Sequence, residues 1–577
     1  MSGYVKILCL VLFSVFVSGQ INPDGPIVKI PQGLIKGRYK KSYKNKTFSS
    51  FEGIPYAKPP IGDLRFQEPQ PASIWKDTLV ANKQYECLQF IPFPLFFGPR
   101  GTEDCLYLYV YVPREDINPN ELLDVVIHIH GGGFVLGSPK YLAGPQFLMD
   151  HDVVYVTFNY RLNILGFLST EDGIVPGNNG LKDQSLALEW IKENIKFFGG
   201  NPASITLTGM SAGAASVHYH YLSPLSKGLF HRGLSQSGSA LHCWALHKSP
   251  LENAKTVSKN LTCPTSSSEE LVECLKKVDG NALMNATRSL YIFEDGVPFI
   301  TFGPVIEHDS NNPFISEHPY EIIKRGDLYD VPWITSNAKD EGLFPVRFVV
   351  FLKKIQELDE KWFDIMPYFL DLYDTLDEDN QKNVLTQIKR HYFKNDTMSE
   401  ENIYTLVELF TDRLFLADTE KVIKLHASAV KSEVYYYFFS YILQMPSFPS
   451  GKLTGACHGD DARLLFQAIG TPYVLKPNDE KMMEMFTDFL VKYAKTGVAT
   501  FNNKEWLPQN PDSDKLNVLS IEGVNQIEMK KIDRLGASDF WNSLPIKELE
   551  KAISSSNIIR NTAILNVIFA ILFFIII

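Results

Sequence analysis

Residues 205–217 join a β-branched run, Ile205-Thr206-Leu207-Thr208, to a run of small residues through Gly209-Met210-Ser211-Ala212-Gly213. β-Branched residues favour a strand, and no Pro interrupts the small residues after the turn, so the pattern predicts strand, sharp turn, helix. The two glycines let the backbone pass close to its neighbours. The turn then lifts the Ser211 hydroxyl off the strand end, where a base can reach it. A serine held that way is a nucleophile for acyl transfer. The pentapeptide alone is a common pattern, so its weight comes from the residues around it.

Attack on a carbonyl builds an oxyanion, which needs donors. Residues 125–134 are an apolar run ending in His130-Gly131-Gly132-Gly133-Phe134. Consecutive glycines expose backbone N–H groups without side-chain obstruction. Such a loop works together with the N–H after the nucleophile, here Ala212. The serine also needs a base, oriented by an acid, and in α/β-hydrolases the order is Ser, acid, His. Of thirteen histidines, His458 stands out, in the late small-residue loop 455–461. His218 and His220 follow the serine turn at helix positions and read as packed, and His128 alternates within a strand. For the acid, residues 334–344 place Asp340 and Glu341 in a loop after an apolar run. Composition does not choose between them.

With these motifs in place, the chain resembles the type-B carboxylesterase family, which includes cholinesterases and insect esterases. The resemblance also runs through residues 51–60, Leu64-Arg65-Phe66, 103–108, 159–162, 177–184 and 197–202. It implies an α/β-hydrolase fold, a large, mostly parallel mixed sheet with helices on both faces. It implies Ser211 as nucleophile, Glu341 as the triad acid and His458 as the base. Gly132, Gly133 and Ala212 become the oxyanion donors, and Glu103, Arg161 and Asp183 fall where the family keeps buried structural ion pairs. The implied activity is carboxylic-ester hydrolysis on a small-molecule ester through an acyl-enzyme, with no cofactor and no metal. A noncatalytic, surface-tethered adhesion protein is the rival reading, disfavoured because all three triad residues are present.

Two departures bear on substrate. Met210 stands where the family usually has Glu, and the stretch between Cys87 and Cys105 is short, rich in Phe and without Trp. A quaternary ammonium wants an aromatic face and favourable electrostatics, so both changes argue against a choline ester. Apolar hormone, pheromone-like and xenobiotic esters all fit.

The 577 residues carry a net charge of −10, with pI near 5.8. This acidic balance leaves no basic patch for nucleic acid. Helical spacing of Leu181, Leu188, Ile191 and Ile195 predicts a helix from Leu181 to Phe197. Clustered metal-ligand spacing, a P-loop and a dinucleotide fingerprint are absent from the sequence.

The first 19 residues, with Lys6 ahead of an apolar run and a small-residue site at Gly19, read as a secretory signal. The catalytic domain is then 20–545. Cys9 leaves with the signal. The resemblance pairs Cys87 with Cys105 and Cys263 with Cys274, leaving Cys243 and Cys457 free or joined in a third bond. Sequons at Asn45, Asn260, Asn285 and Asn395 suit glycosylation. Residues 546–577 end in small residues at 554–557, a short polar spacer and an apolar tail from Ala563 to Ile577. That is the pattern of a glycosylphosphatidylinositol (GPI) anchor signal, with Ser554 or Ser555 as the attachment residue. A retained membrane tail is the alternative. Oligomeric state is not legible.

Overall fold

The computed structural model describes residues 25–91, 98–394, 397–444, 453–467 and 475–546. The signal segment, the C-terminal tail, the Asn395 sequon and residues 92–97 of the Phe-rich stretch lie outside the described residues.

An 11-stranded sheet organises the chain. Its strands are β1 (Arg38–Lys41), β2 (Thr47–Pro55), β3 (Tyr107–Val112), β4 (Leu123–Ile129), β5 (Val153–Phe158) and β6 (Gly200–Met210), followed by β7 (Arg232–Gln236), β8 (Trp333–Ala338), β9 (Val434–Phe439), β10 (Leu516–Gly523) and β11 (Gln526–Ile532). The spatial order is β11-β10-β9-β8-β7-β6-β4-β5-β3-β2-β1. From β10 across to β5 all neighbours run parallel, and antiparallel strands flank that block. The parallel strands are near-continuous apolar runs because helices cover both faces. β5, Val-Val-Tyr-Val-Thr-Phe, is buried at every position. Alternation decides which core each side chain joins. Val125, Ile127, Ile205 and Leu207 pack on one face, and Tyr109, Val126, Leu234 and Tyr437 on the other.

The helix predicted at 181–197 is Asn179–Asn194 (α1), continued by a 3-10 turn at Ile195–Phe198. Gly199, at φ 79°, ends it in the left-handed conformation that favours glycine. One buried and one partly buried ion pair brace this half. Arg161 meets Asp183 through two hydrogen bonds of 2.7 and 2.8 Å, and Arg65 meets Glu103 at 2.5 and 2.7 Å. Arg65 also donates to the carbonyls of Leu275, Lys276 and Val278, which ties the early loops to the segment of the second disulfide.

A third core lies between β8 and β9, where the chain leaves the sheet as a helical cap. Helices Leu343–Phe351, Trp362–Phe369, Glu378–Phe393 and Ile403–Thr411 bury Val346, Met366, Ile388 and Phe410 against one another. The cap returns through a single π-helical turn, Asp412–Leu416, into helix Ala417–Ala429. Disulfides join Cys87 to Cys105 and Cys263 to Cys274, while Cys243 and Cys457 are buried and lie outside these two bonds.

Candidate active site

Ser211 stands between the end of β6 and helix α2 (Ala212–Leu222), at φ 58° and ψ −124°. A non-glycine residue there stores roughly 1–3 kcal/mol of strain. Its surroundings hold it: the Ser211 N–H donates to the Gln236 carbonyl at 2.8 Å, and its own carbonyl accepts from Ala215 at 2.9 Å. Gly213 is required by space, since a Cβ there would come within 2.1 Å of the Ile129 carbonyl oxygen. Helix α2 is thus pressed against the end of β4, where the loop 130–133 begins. Within that loop Gly132 lies at φ 114°, and a Cβ on it would meet the Leu136 oxygen at 2.0 Å. Among the described residues, no turn or loop carbonyl accepts from the N–H groups of Gly132, Gly133 and Ala212.

The candidate acid and base come from two other crossovers. Glu341 lies three residues beyond β8 and is fully buried. One carboxylate oxygen accepts from Ser237 Oγ at 2.5 Å and from the Ala338 N–H at 2.7 Å. The other meets His458 Nδ1 at 2.5 Å. Asp340 has a different task. Its carboxylate accepts from the Ala456 N–H at 3.0 Å while its N–H donates to the Ala456 carbonyl, so it pins the loop that carries His458. Desolvation raises the Asp340 pKa above the ordinary carboxylate value. Geometry thereby separates two adjacent carboxylates that composition leaves equal. Beyond His458, Asp460 accepts from the Cys457 N–H, and burial pushes its pKa up to about 6. Asp461 accepts from Ser336 and Tyr437 hydroxyls.

Ser211, His458 and Gly131 to Gly133 line one cavity of about 420 Å³. No hydrogen bond joins Ser211 to His458 in this arrangement; active-site contacts of that kind commonly tighten only when substrate is bound. The walls are apolar, with Phe299, Phe344, Phe348, Phe369 and Phe415 among them. Met210 lines the cavity too, and its thioether approaches Gly459. Arg100, at the edge, has its charge taken up by Glu86 at 2.8 Å and lies over the Tyr141 ring.

Sequence reasoning missed several of these residues. Ser237 sits in Gln236-Ser237-Gly238-Ser239, a small polar cluster just after a strand, and that was the available signal. The π-turn had none. It brings Leu414 and Phe415 into the cavity, with the Phe415 ring 4.9 Å from the His458 ring. A π-turn displaces carbonyls from the regular ladder, and Trp244 Nε1 donates to the Leu414 carbonyl at 2.8 Å. The histidines read as packed are packed. His220 meets Gln184 and Ser226, His218 meets His426 at 3.1 Å, and His128 meets Thr208. Among the described residues no cluster of His, Cys, Asp and Glu is arranged to hold a metal ion.

Known proteins give the family. The model of the carboxylesterase family matches residues 24–541. Venom carboxylesterase-6 of Apis mellifera is 39% identical over 554 residues, 94% of this chain and 99% of that protein. Esterase FE4 of Myzus persicae is 37% identical, over 89% of this chain and 92% of its own length. Among solved structures, juvenile hormone esterase from Manduca sexta, with OTFP covalently attached, superposes with a TM-score of 0.79. It is 28% identical and covers 90% of this chain and 99% of its own. A serine in a strained strand-to-helix turn, a glycine loop beside it, the α/β-hydrolase sheet beneath and this whole-length match agree: the chain belongs to the carboxylesterase family and is a serine carboxylesterase.

Proposed function

We propose that Ser211, His458 and Glu341 form the catalytic triad, acting on uncharged, apolar esters. The observation that carries this reading is the 2.5 Å contact between His458 and a fully buried Glu341, opening into the cavity that Ser211 lines. His458 accepts the Ser211 proton as the hydroxyl attacks the ester carbonyl. Glu341 holds the imidazole tautomer and stabilises the imidazolium that forms. The N–H groups of Gly132, Gly133 and Ala212 receive the oxyanion. His458 then protonates the leaving alcohol, and water repeats the sequence to free the acid. None of these steps calls on a metal or organic cofactor.

The substrate class rests on the walls. A neutral Met210 and the phenylalanines offer dispersion and desolvation, and among the described residues the cavity carries no unpaired acidic side chain close to Ser211 to attract a cation. Juvenile hormone esterase of Tribolium castaneum is 32% identical over 90% of this chain, so hormone, pheromone-like and xenobiotic esters are the classes to try. The test is hydrolysis of p-nitrophenyl acetate, butyrate and octanoate by the purified protein and by Ser211→Ala, with and without an organophosphate. Turnover abolished by inhibitor and substitution alike supports the triad. Undiminished turnover in a folded Ser211→Ala protein sinks it, and an inactive wild type moves weight to a binding role.

The same reading takes residues 1–19 as a signal, 20–545 as the catalytic domain and 546–577 as a tail directing GPI attachment at the cell surface. Venom and hormone esterases among the relatives fit the secretory pathway. Asn45, Asn260 and Asn285 are all exposed, as glycan acceptors must be. Phosphatidylinositol-specific phospholipase C should release the protein from cells. Retention where a control GPI protein is released would favour the membrane tail.

A further inference from the structure

Far from the catalytic centre in sequence, three short strands form a separate sheet: Ile27–Ile30, Gly33–Lys36 and Leu79–Val80. Its inner face is ordinary core, with Val28, Ile30 and Ile35 buried. The outer face is not an ordinary surface. Ile27 and Val80 are each 55% exposed, Leu34 41% and the adjoining Ile74 77%.

Register places lysines between them. Lys36 lies opposite Ile27 on one side and Val80 on the other, and Lys29 lies opposite Leu34. The strip Ile74-Trp75-Lys76 closes the face, because the Trp75 N–H donates to the Gln32 carbonyl and its indole to the Leu34 carbonyl at 3.0 Å. Aliphatic and basic side chains thus alternate across the sheet, with a half-buried indole at the edge.

We propose that this face docks on an anionic lipid surface. Size argues against a protein partner. Three strands of at most four residues span about 10 Å by about 13 Å from strand spacing and rise. A stable protein interface needs about 800 Å² on each side. A bilayer sets no such requirement: exposed aliphatic side chains enter the headgroup boundary, lysine stems follow them with their ammonium groups at the phosphates, and an indole suits the interface. Charge argues the same way. A chain of net charge −10 is repelled by anionic lipid as a whole, so a face that exposes Lys29 and Lys76 sets the orientation in which it approaches.

The test uses the full chain with vesicles of phosphatidylcholine, with and without phosphatidylserine. The readouts are flotation and quenching of tryptophan emission by brominated lipid, with Trp75→Phe identifying the Trp75 part. The expected result is phosphatidylserine-dependent, salt-sensitive binding with Trp75 quenched. Neutralising Lys29 and Lys76 together to Gln should weaken the phosphatidylserine-dependent binding about 25-fold, about fivefold per lysine. Leu34→Gln with Val80→Gln should remove the quenching, and both variants should keep their thermal midpoint and ester turnover. Vesicle-bound protein with Trp75 unquenched would mean that the C-terminal tail alone holds it, and overturns the proposal. So does phosphatidylserine dependence unchanged in the lysine variant, or a loss of self-association as the only effect of the variants.

Discussion

The cavity has two unlike sides. Its floor, from the 130–133 loop and the β6–α2 turn, is set by backbone: positive φ at Gly132 and Ser211, and an approach at Gly213 that tolerates no Cβ. Its roof, from the cap, the π-turn and the segment around Phe299 ahead of β8, is set by side chains, with aromatic rings meeting at 5–6 Å, such as Phe299 with Phe369 at 5.6 Å and Phe344 with Phe348 at 5.5 Å. The difference teaches where chemistry and selectivity reside. A floor built from backbone has few solutions, which suits a constellation that must hold its geometry. A roof built from apolar volume accepts substitution, since cores tolerate swaps that conserve volume.

The widest separation between the two sides should appear in acid. Seven buried histidines, His128, His130, His218, His220, His242, His247 and His426, are held neutral by desolvation, with His130, His242 and His247 pushed down to about 4. None lies in the cap. As pH falls below about 6.5 the unfolded chain takes up protons that the native state refuses, so each costs about 1.4 kcal/mol of stability per pH unit. Among the described residues, the half-buried Asp340 and the buried Asp412, Asp460 and Asp461 are shifted up and act in the opposite direction. Seven outweigh four, so the thermal midpoint should fall from pH 7 to pH 5, and amide exchange should rise first in β4 and α2. A flat midpoint over that range would contradict the account.

Next in size is Glu341→Gln. It leaves volume intact but supplies no charge to the imidazolium, and kcat should drop about 10³–10⁴-fold at unchanged stability. Gly132→Ala attacks the floor itself. Lost oxyanion alignment should lower kcat by about 10²–10³-fold on every ester alike. The roof should answer differently. Phe415→Ala opens volume beside His458, and the preference for octanoate over acetate should change by about 10–100-fold while acetate turnover stays within about tenfold. If Phe415→Ala instead lowered all esters equally, or Gly132→Ala altered chain-length preference, the division of labour between floor and roof would be wrong.

Much of the floor was legible in the sequence because its rules are local. A glycine, a serine and a glycine at fixed offsets after a β-branched run specify a strained turn, and three glycines after an apolar strand specify a loop with free N–H groups. The α/β architecture was legible from the same periodicities, and the helix at 179–194 fell within three residues of its predicted ends. The candidate acid was only half legible. Asp340 and Glu341 share charge and nearly share position. What separates them is that successive residues leave the end of β8 in different directions, one toward Ala456 and one toward His458.

By itself, then, the sequence determined which residue types stand ready for acyl transfer and which elements carry them, because strand, turn and helix preferences act over a few neighbouring residues. The tertiary structure alone decided which carboxylate meets His458, that Ser237 supports Glu341, and that a π-turn beginning more than 200 residues after Ser211 supplies Phe415 to the cavity. Those contacts join segments brought together only by the packing of sheet and cap, and no local preference encodes a partner at that distance.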